Sequence, residues 1–187
     1  MSRPTRSSTR LHEPSDRLLL RPKGLTVKVP SYAWLLLRSR RMARVLVTGM
    51  SGVGKTSVLE ELGRRGWLTV DTDYDGWVLA DGRWDERRMD QLLADEPDVV
   101  VSGTVENQGR FYDRFEQVVL ISAPVEVLIE RVSTRTNNPY GRTAEEQAEI
   151  AAYVETVEPL LRSGATVELD GRRPAGELAD VIEGLQR

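Results

Sequence analysis

Eight residues constrain this chain more than any others: Gly49-Met50-Ser51-Gly52-Val53-Gly54-Lys55-Thr56. They fit G-x-x-x-x-G-K-[ST], a loop whose backbone N–H groups cradle phosphate oxygens. The requirement is topological as well as local. A strand must deliver such a loop and a helix must leave it, because the helix N-terminus adds partial positive charge to the amide donors. Both flanks are present. Arg44-Val45-Leu46-Val47-Thr48 is a β-rich run ending at the loop, and Ser57 to Arg65 has helical character closed by Gly66. Lys55 is also the only lysine from Met42 to the end of the chain. Against an arginine background, this position keeps a compact ammonium that fits under a loop where a planar guanidinium does not. The expected ligand is a nucleoside triphosphate, with Lys55 on its β- and γ-phosphates and the Thr56 hydroxyl on Mg2+. Residues Gly49 to Thr56, with Ser57 following, are the expected nucleotide contacts.

The alternation of strand and helix continues beyond this loop. Trp67-Leu68-Thr69-Val70 reads as a second strand ending in Asp71-Thr72-Asp73, and Asp85 to Ala94 as a helix with Met89, Leu92 and Leu93 on one face. Asp98 to Ser102 and Gln117 to Ile121 are continuous apolar strands of the kind buried on both faces of a parallel sheet. Pro124 opens a helix reaching about Arg135, where its missing N–H is harmless. Thr136 to Gly141 breaks the pattern. Thr143-Ala144-Glu145-Glu146 resembles a capping box, and the spacing predicts one long helix from Thr143 to about Arg162. Ala165 to Leu169 is the last strand and Pro174 to Leu185 the last helix. The expectation is an α/β fold: a parallel sheet of about five strands, helices on both faces, and a short lid.

Composition narrows the chemistry. The 187 residues contain no cysteine and a single histidine, His12. Disulfides and thiolate metal sites are therefore excluded, and a general base in the main domain should be a carboxylate. A reducing cytoplasm fits that usage. No apolar run approaches the roughly 18 residues needed to span a bilayer. The net charge of -3 hides an asymmetry, for residues 1–41 carry +8 and the remainder -11. Residues 1–41 therefore read as a basic, disordered N-terminal extension, and residues 42–187 as the nucleotide-binding domain. The extension could tether to an anionic surface, contact nucleic acid or act as a targeting peptide. The reading adopted is plainer: Met42-Ala43-Arg44 begins directly at the first strand, so residues 1–41 are an upstream-start extension without a selected role. The acidic main domain argues against a nucleic-acid partner.

A carboxylate partner for the metal is expected where a strand ends beside the loop. Val99-Val100-Val101 ends in Ser102-Gly103 and offers none. Asp71, at the carboxyl end of the second strand, is the expected Mg2+ ligand, through water. Asp73 is then placed to orient or deprotonate an acceptor hydroxyl.

With these residues assembled, the chain resembles the small P-loop kinases, a group that includes shikimate, gluconate and nucleoside monophosphate kinases. The likeness rests on Gly49 to Thr56, on Val70-Asp71-Thr72-Asp73, and on Leu128-Ile129-Glu130-Arg131-Val132-Ser133-Thr134-Arg135 before a Gly/Pro loop. It spans about residues 44–185. The resemblance implies that Arg131 stacks on adenine, that Arg135 contacts phosphates, and that Arg142 is a mobile lid arginine. It also implies that Asp170-Gly171-Arg172-Arg173-Pro174 forms the adenine loop. On the acceptor side the chain departs from shikimate kinases. A Gly-Gly-Gly run is replaced by Gly103-Thr104-Val105-Glu106-Asn107-Gln108-Gly109, and Val157-Glu158-Pro159-Leu160-Leu161 lacks the preceding arginine. The resemblance implies that Arg87 stands for another shikimate-binding arginine. Arg87, Gly103, Glu106, Asn107, Gln108, Arg110 and Arg114 are the expected acceptor lining.

The sequence thus predicts an ATP- and Mg2+-dependent kinase for a small polar metabolite, monomeric or dimeric, using Lys55, Asp73, Arg135 and Arg142. The alternative is an ATP-binding regulatory P-loop protein without turnover.

Overall fold

The computed structural model describes residues 43–136 and 138–185. The extension expected over residues 1–41, the start at Met42 and one lid position, Asn137, lie outside the described residues. Five strands form one sheet: β1 (Arg44–Thr48), β2 (Thr69–Asp71), β3 (Val99–Ser102), β4 (Gln117–Ser122) and β5 (Val167–Asp170). Every pairing is parallel, in the order β2-β3-β1-β4-β5. Among the described residues six α-helices accompany them: α1 (Lys55–Arg64), α2 (Glu86–Asp95), α3 (Val125–Thr134), α4 (Ala144–Thr156), α5 (Glu158–Gly164) and α6 (Ala175–Gly184). A 3-10 helix covers Gln108–Arg114. The predicted α/β fold is the observed one.

The period of two along each strand makes two cores. Val45, Val47, Val100 and Val119 point to one face, where Leu59, Leu62, Leu128, Ile150, Leu161 and Ile182 bury them. Leu46, Val99, Val101 and Val118 point to the other, against Met89, Leu93, Trp84 and Phe111. Strands covered on both sides have no solvent face, which is why β3 and β4 read as unbroken apolar runs.

One expected helix is two. The run predicted from Thr143 to Arg162 breaks after Thr156, and α5 restarts at Glu158. Pro159 is the cause: it has no N–H to donate, and its ring would clash with the carbonyl four residues earlier. At the start of α5 that missing donor costs nothing. The predicted capping box does form. The Thr143 side chain accepts from Glu146 N, and the Glu146 side chain accepts from Thr143 N. Among the described residues no helix is long and apolar enough to cross a membrane.

Candidate functional site

The central strand β1 ends at Thr48 and delivers the glycine-rich loop between the carboxyl ends of β3 and β4. Gly49, Gly52 and Gly54 have φ of +146°, +88° and +103°. Gly52 shows why no side chain is allowed there, because an added Cβ would come within 2.8 Å of Leu128 O and of Val132 Cγ1. Met50 and Val53, expected as nucleotide contacts, turn their side chains into the core and leave only backbone to the loop mouth. Ser51 remains half-buried and Ser57 exposed.

Lys55 heads α1 and curls back over its own loop, donating to Gly49 O at 2.7 Å and Met50 O at 3.4 Å. Burial holds its ammonium below the usual lysine range, opposed by the carboxylates of Asp73 and Asp71. Thr56 Oγ1 donates to Asp71 Oδ2 at 2.8 Å, and Asp73 N donates to Asp71 Oδ1 at 3.2 Å. The Thr56 hydroxyl, the Asp71 carboxylate and the Asp73 backbone N–H are therefore linked in one chain of contacts across α1 and β2. Among the described residues no group of three or more His, Cys, Asp or Glu side chains could hold a metal unaided. A hydroxyl with one neighbouring carboxylate, both hard oxygen donors, fits Mg2+, which binds through one or two protein oxygens plus phosphate and water.

Arg135 follows α3. Its Nη2 donates to Ser51 Oγ at 3.2 Å and Tyr140 O at 2.8 Å, while its buried Nε has no hydrogen-bond partner among the described residues. Burial lowers its pKa, and the nearby Tyr74 and Asp73 partly oppose the shift. Arg131 is tied to backbone, donating to Gly171 O at 2.8 Å and Val53 O at 3.3 Å. It thereby pins the phosphate loop to the turn after β5. In that turn Arg172 forks onto Asp170, with its closest contact at 2.7 Å, and holds the Asp170 carboxyl down at about 2. Arg173 reaches Glu177, and Pro174 caps α6.

The lid expectation meets a short, latched segment. Glu146 Oε2 accepts from the N–H groups of Gly141, Arg142 and Thr143 at 2.9, 3.0 and 3.2 Å. Tyr140 donates to Glu149 at 2.7 Å, and Arg142 donates to Arg135 O at 2.9 Å. The segment from Tyr140 to Thr143 is thus held against α4.

On the acceptor side the structure separates residues that the sequence grouped. Asn107 and Gln108 are only 4% and 2% exposed. Asn107 clamps Trp84 by accepting from its N–H and donating to its carbonyl, and Gln108 donates to Thr48 Oγ1 and to Tyr112 OH. Their amides hold the fold and are closed to a ligand, a correction to their expected place in the lining. Arg87 lies in a shallow groove with Asp90, Gln91, Ala94 and Arg114, whereas its neighbour Arg88 turns toward the loop after β2. Arg110 pairs with Glu86, and Glu106 with Arg83.

Three residues that sequence reasoning passed over complete the site. Thr104 Oγ1 donates to Gly49 O at 2.8 Å and fixes the first glycine of the loop. Trp84, 1% exposed, donates from Nε1 to Thr72 Oγ1 at 2.9 Å, and Thr72 donates onward to Ser102 O at 2.8 Å. That relay sets the turn carrying Asp71 and Asp73. A tryptophan between Arg83 and Asp85 was the available signal, since an indole amid charges must find a buried place and a partner. Gly103 makes room for the relay, as a Cβ there would lie 2.2 Å from Thr72 Oγ1 and 3.0 Å from the Trp84 ring. Gly103→Ala is expected to cost about 1–3 kcal/mol, measured as a lowered urea midpoint.

Known proteins place this architecture. A family model described as AAA domain matches residues 45–152. Shikimate kinase from Acinetobacter baumannii in complex with shikimate aligns with TM-score 0.62 at 21% identity, covering 83% of this chain and 96% of that one. A gluconokinase from Sinorhizobium meliloti 1021 gives 0.55 at 20% identity, covering 79% and 93%. YorR from Bacillus subtilis, in complex with phosphorylated GDP, gives 0.56 at 18%, covering 76% and 94%. At 18–21% identity these likenesses show a shared fold. No curated protein sequence matches the chain.

Proposed function

The chain belongs to the AAA domain family of P-loop proteins, and from that premise we propose that it is an ATP- and Mg2+-dependent phosphotransferase acting on a small polar metabolite. The observation carrying this reading is the contact chain Thr56, Asp71 and Asp73 beside Lys55, which donates to Gly49 O of the loop, with Arg135 Nη2 donating to Ser51 of the same loop. A binding-only protein needs the loop and Lys55. It does not need a further carboxylate, exposed and free of hydrogen bonds among the described residues, beside the phosphates.

In this reading the loop amides and Lys55 hold the β- and γ-phosphates. Thr56 would ligate Mg2+, with Asp71 behind it through water; the metal supplies charge neutralisation at the phosphates. Asp73 orients the acceptor hydroxyl. Its oxygen bonds to the γ-phosphorus as the bond to the β–γ bridging oxygen breaks, ADP leaves, and the hydroxyl proton passes to Asp73. Arg135, whose Nη2 lies against Ser51 of the loop, would stabilise charge that develops on the transferring group. Arg131, Arg172, Arg173 and Pro174 build the base-side wall, and Arg142 supports Arg135 from the lid. A cytoplasmic setting fits such a reaction. Residues 1–41 have no part in it.

The test is an ADP-release screen of the full chain over polyols, sugars, sugar acids, nucleosides and nucleoside monophosphates. Acceptor-dependent release supports the reading. Tight ATP binding with no turnover on any acceptor would favour a regulatory ATP-binding protein instead. Asp71→Asn is expected to raise the Mg2+ concentration for half-maximal rate by about 10–100-fold, as loss of an outer-shell partner does; an unchanged Mg2+ titration would remove Asp71 from the metal site.

A further inference from the structure

The acceptor side has an unusual charge balance. Residues 71–90 carry seven carboxylates and three arginines, a net charge of -4. The facing segment, residues 103–114, is neutral, with Glu106 and Asp113 against Arg110 and Arg114. Arginines are numerous here, yet the three that reach across the two segments are paired with carboxylates, and Arg87 lies away from Asp73's turn in the groove with Asp90, Gln91, Ala94 and Arg114. Arg83 holds Glu106 at 3.0 Å, Arg114 holds Asp90 at 2.7 Å, and Arg110 holds Glu86. Arg88 donates to Asp75 O at 2.7 Å and lies 3.8 Å over the Trp77 ring. The reverse holds for Asp73. Among the described residues its carboxylate accepts no hydrogen bond, and it is exposed beside Tyr74, itself 46% exposed. Lys55 and Arg135, cations that feel Asp73, sit at the phosphate loop.

We propose that the phosphoryl acceptor carries no carboxylate or phosphate of its own, and is a neutral or amine-bearing polyhydroxyl compound, with the amine-bearing form bound best. The inference rests on the phosphotransferase reading above and names the substrate class for that site. Exposed ion pairs are individually weak, so an anionic acceptor could pull an arginine away. The freed carboxylate would stay beside it, however, and the net field would not change. A site of this sign lowers the local concentration of anions and raises that of cations, with effects of roughly tenfold or more on association. Tyr74 adds an aromatic face and Asp73 a strong acceptor, which suits a ring bearing several hydroxyl groups or an ammonium.

The experiment compares matched acceptors on the full chain: glucosamine, glucose and gluconate as one set, adenosine and AMP as another, alongside aminated and neutral polyols. Expected is a kcat/KM for amine-bearing or neutral acceptors at least about tenfold above that for acids at low ionic strength. The ratio should shrink as salt is raised, because the field is screened beyond about a Debye length. Glu86→Gln, which keeps the Asn107 contact and frees Arg110, should move the ratio toward acids by about threefold while KM for ATP stays constant. Turnover that prefers acids, or a preference indifferent to both salt and Glu86→Gln, overturns the inference and leaves phosphoryl transfer standing. ATP binding without turnover on any acceptor overturns both.

Discussion

Lys55→Met is expected to abolish phosphoryl transfer, with kcat down by about 10³-fold or more, while the protein melts no lower than wild type. The first half follows from position. The ammonium sits 2.7 Å from Gly49 O at the loop mouth, and removing a preorganised charge from where phosphate charge develops costs orders of magnitude in rate. The second half follows from the pKa. Burial disfavours the charged form of Lys55 in the folded protein. A base whose folded pKa is lowered makes folding less favourable at neutral pH, and that cost disappears as pH rises through the lowered value toward the ordinary 10.5. Methionine fills similar space without the charge. Any stability gained by the variant should therefore be present at neutral pH and fade as pH rises into the lysine range. Initial rates of ADP release and thermal melts over pH 7 to 10 check both halves; normal turnover by Lys55→Met would sink the mechanism.

The largest structural effect is expected at Trp84. Its ring is 1% exposed, packs on Phe111 at a centroid distance of 5.9 Å, and holds Thr72 through Nε1. Trp84→Ala removes a fully buried indole and should cost about 3–5 kcal/mol, a fall in Tm of roughly 6–20 °C for a chain of this size. Trp84→Phe separates packing from positioning. It keeps most of the buried area, loses one hydrogen bond worth about 1 kcal/mol, and frees the Thr72 hydroxyl that sets the turn with Asp71 and Asp73. Its Tm should move little, while kcat falls and KM for ATP holds. If Trp84→Phe lowered Tm as far as Trp84→Ala and left kcat unchanged, the indole would be packing alone.

The elements carried by periodicity were legible. The apolar runs of β3 and β4, the glycine spacing of the phosphate loop and the Thr143–Glu146 cap depend on residues within a few positions of one another. The division of the predicted helix at Pro159 was legible in principle, since a proline forbids the hydrogen bond that a continuous helix requires there. The acceptor side was not. Asn107 and Gln108 share polarity with a binding residue, and only contact with Trp84, Thr48 and Tyr112 shows that their amides are spent inside the fold. The aromatic relay from Trp84 to Thr72 to Ser102 joins residues 12 and 30 positions apart, with no local pattern to announce it.

The sequence by itself determined that Lys55 lies under a phosphate-binding loop between a strand and a helix, because glycine torsions and the strand–helix order are local requirements. It also determined the parallel sheet, through strands too apolar to have a wet face. Only the tertiary structure decided which of the many arginines are already spoken for. Arg83, Arg110 and Arg114 find carboxylates 23, 24 and 24 residues away, and Arg131 finds backbone 40 and 78 residues away. Arginine is the same charge at every position in a sequence. Its effect depends on distance to a partner, and distance is set when the chain folds.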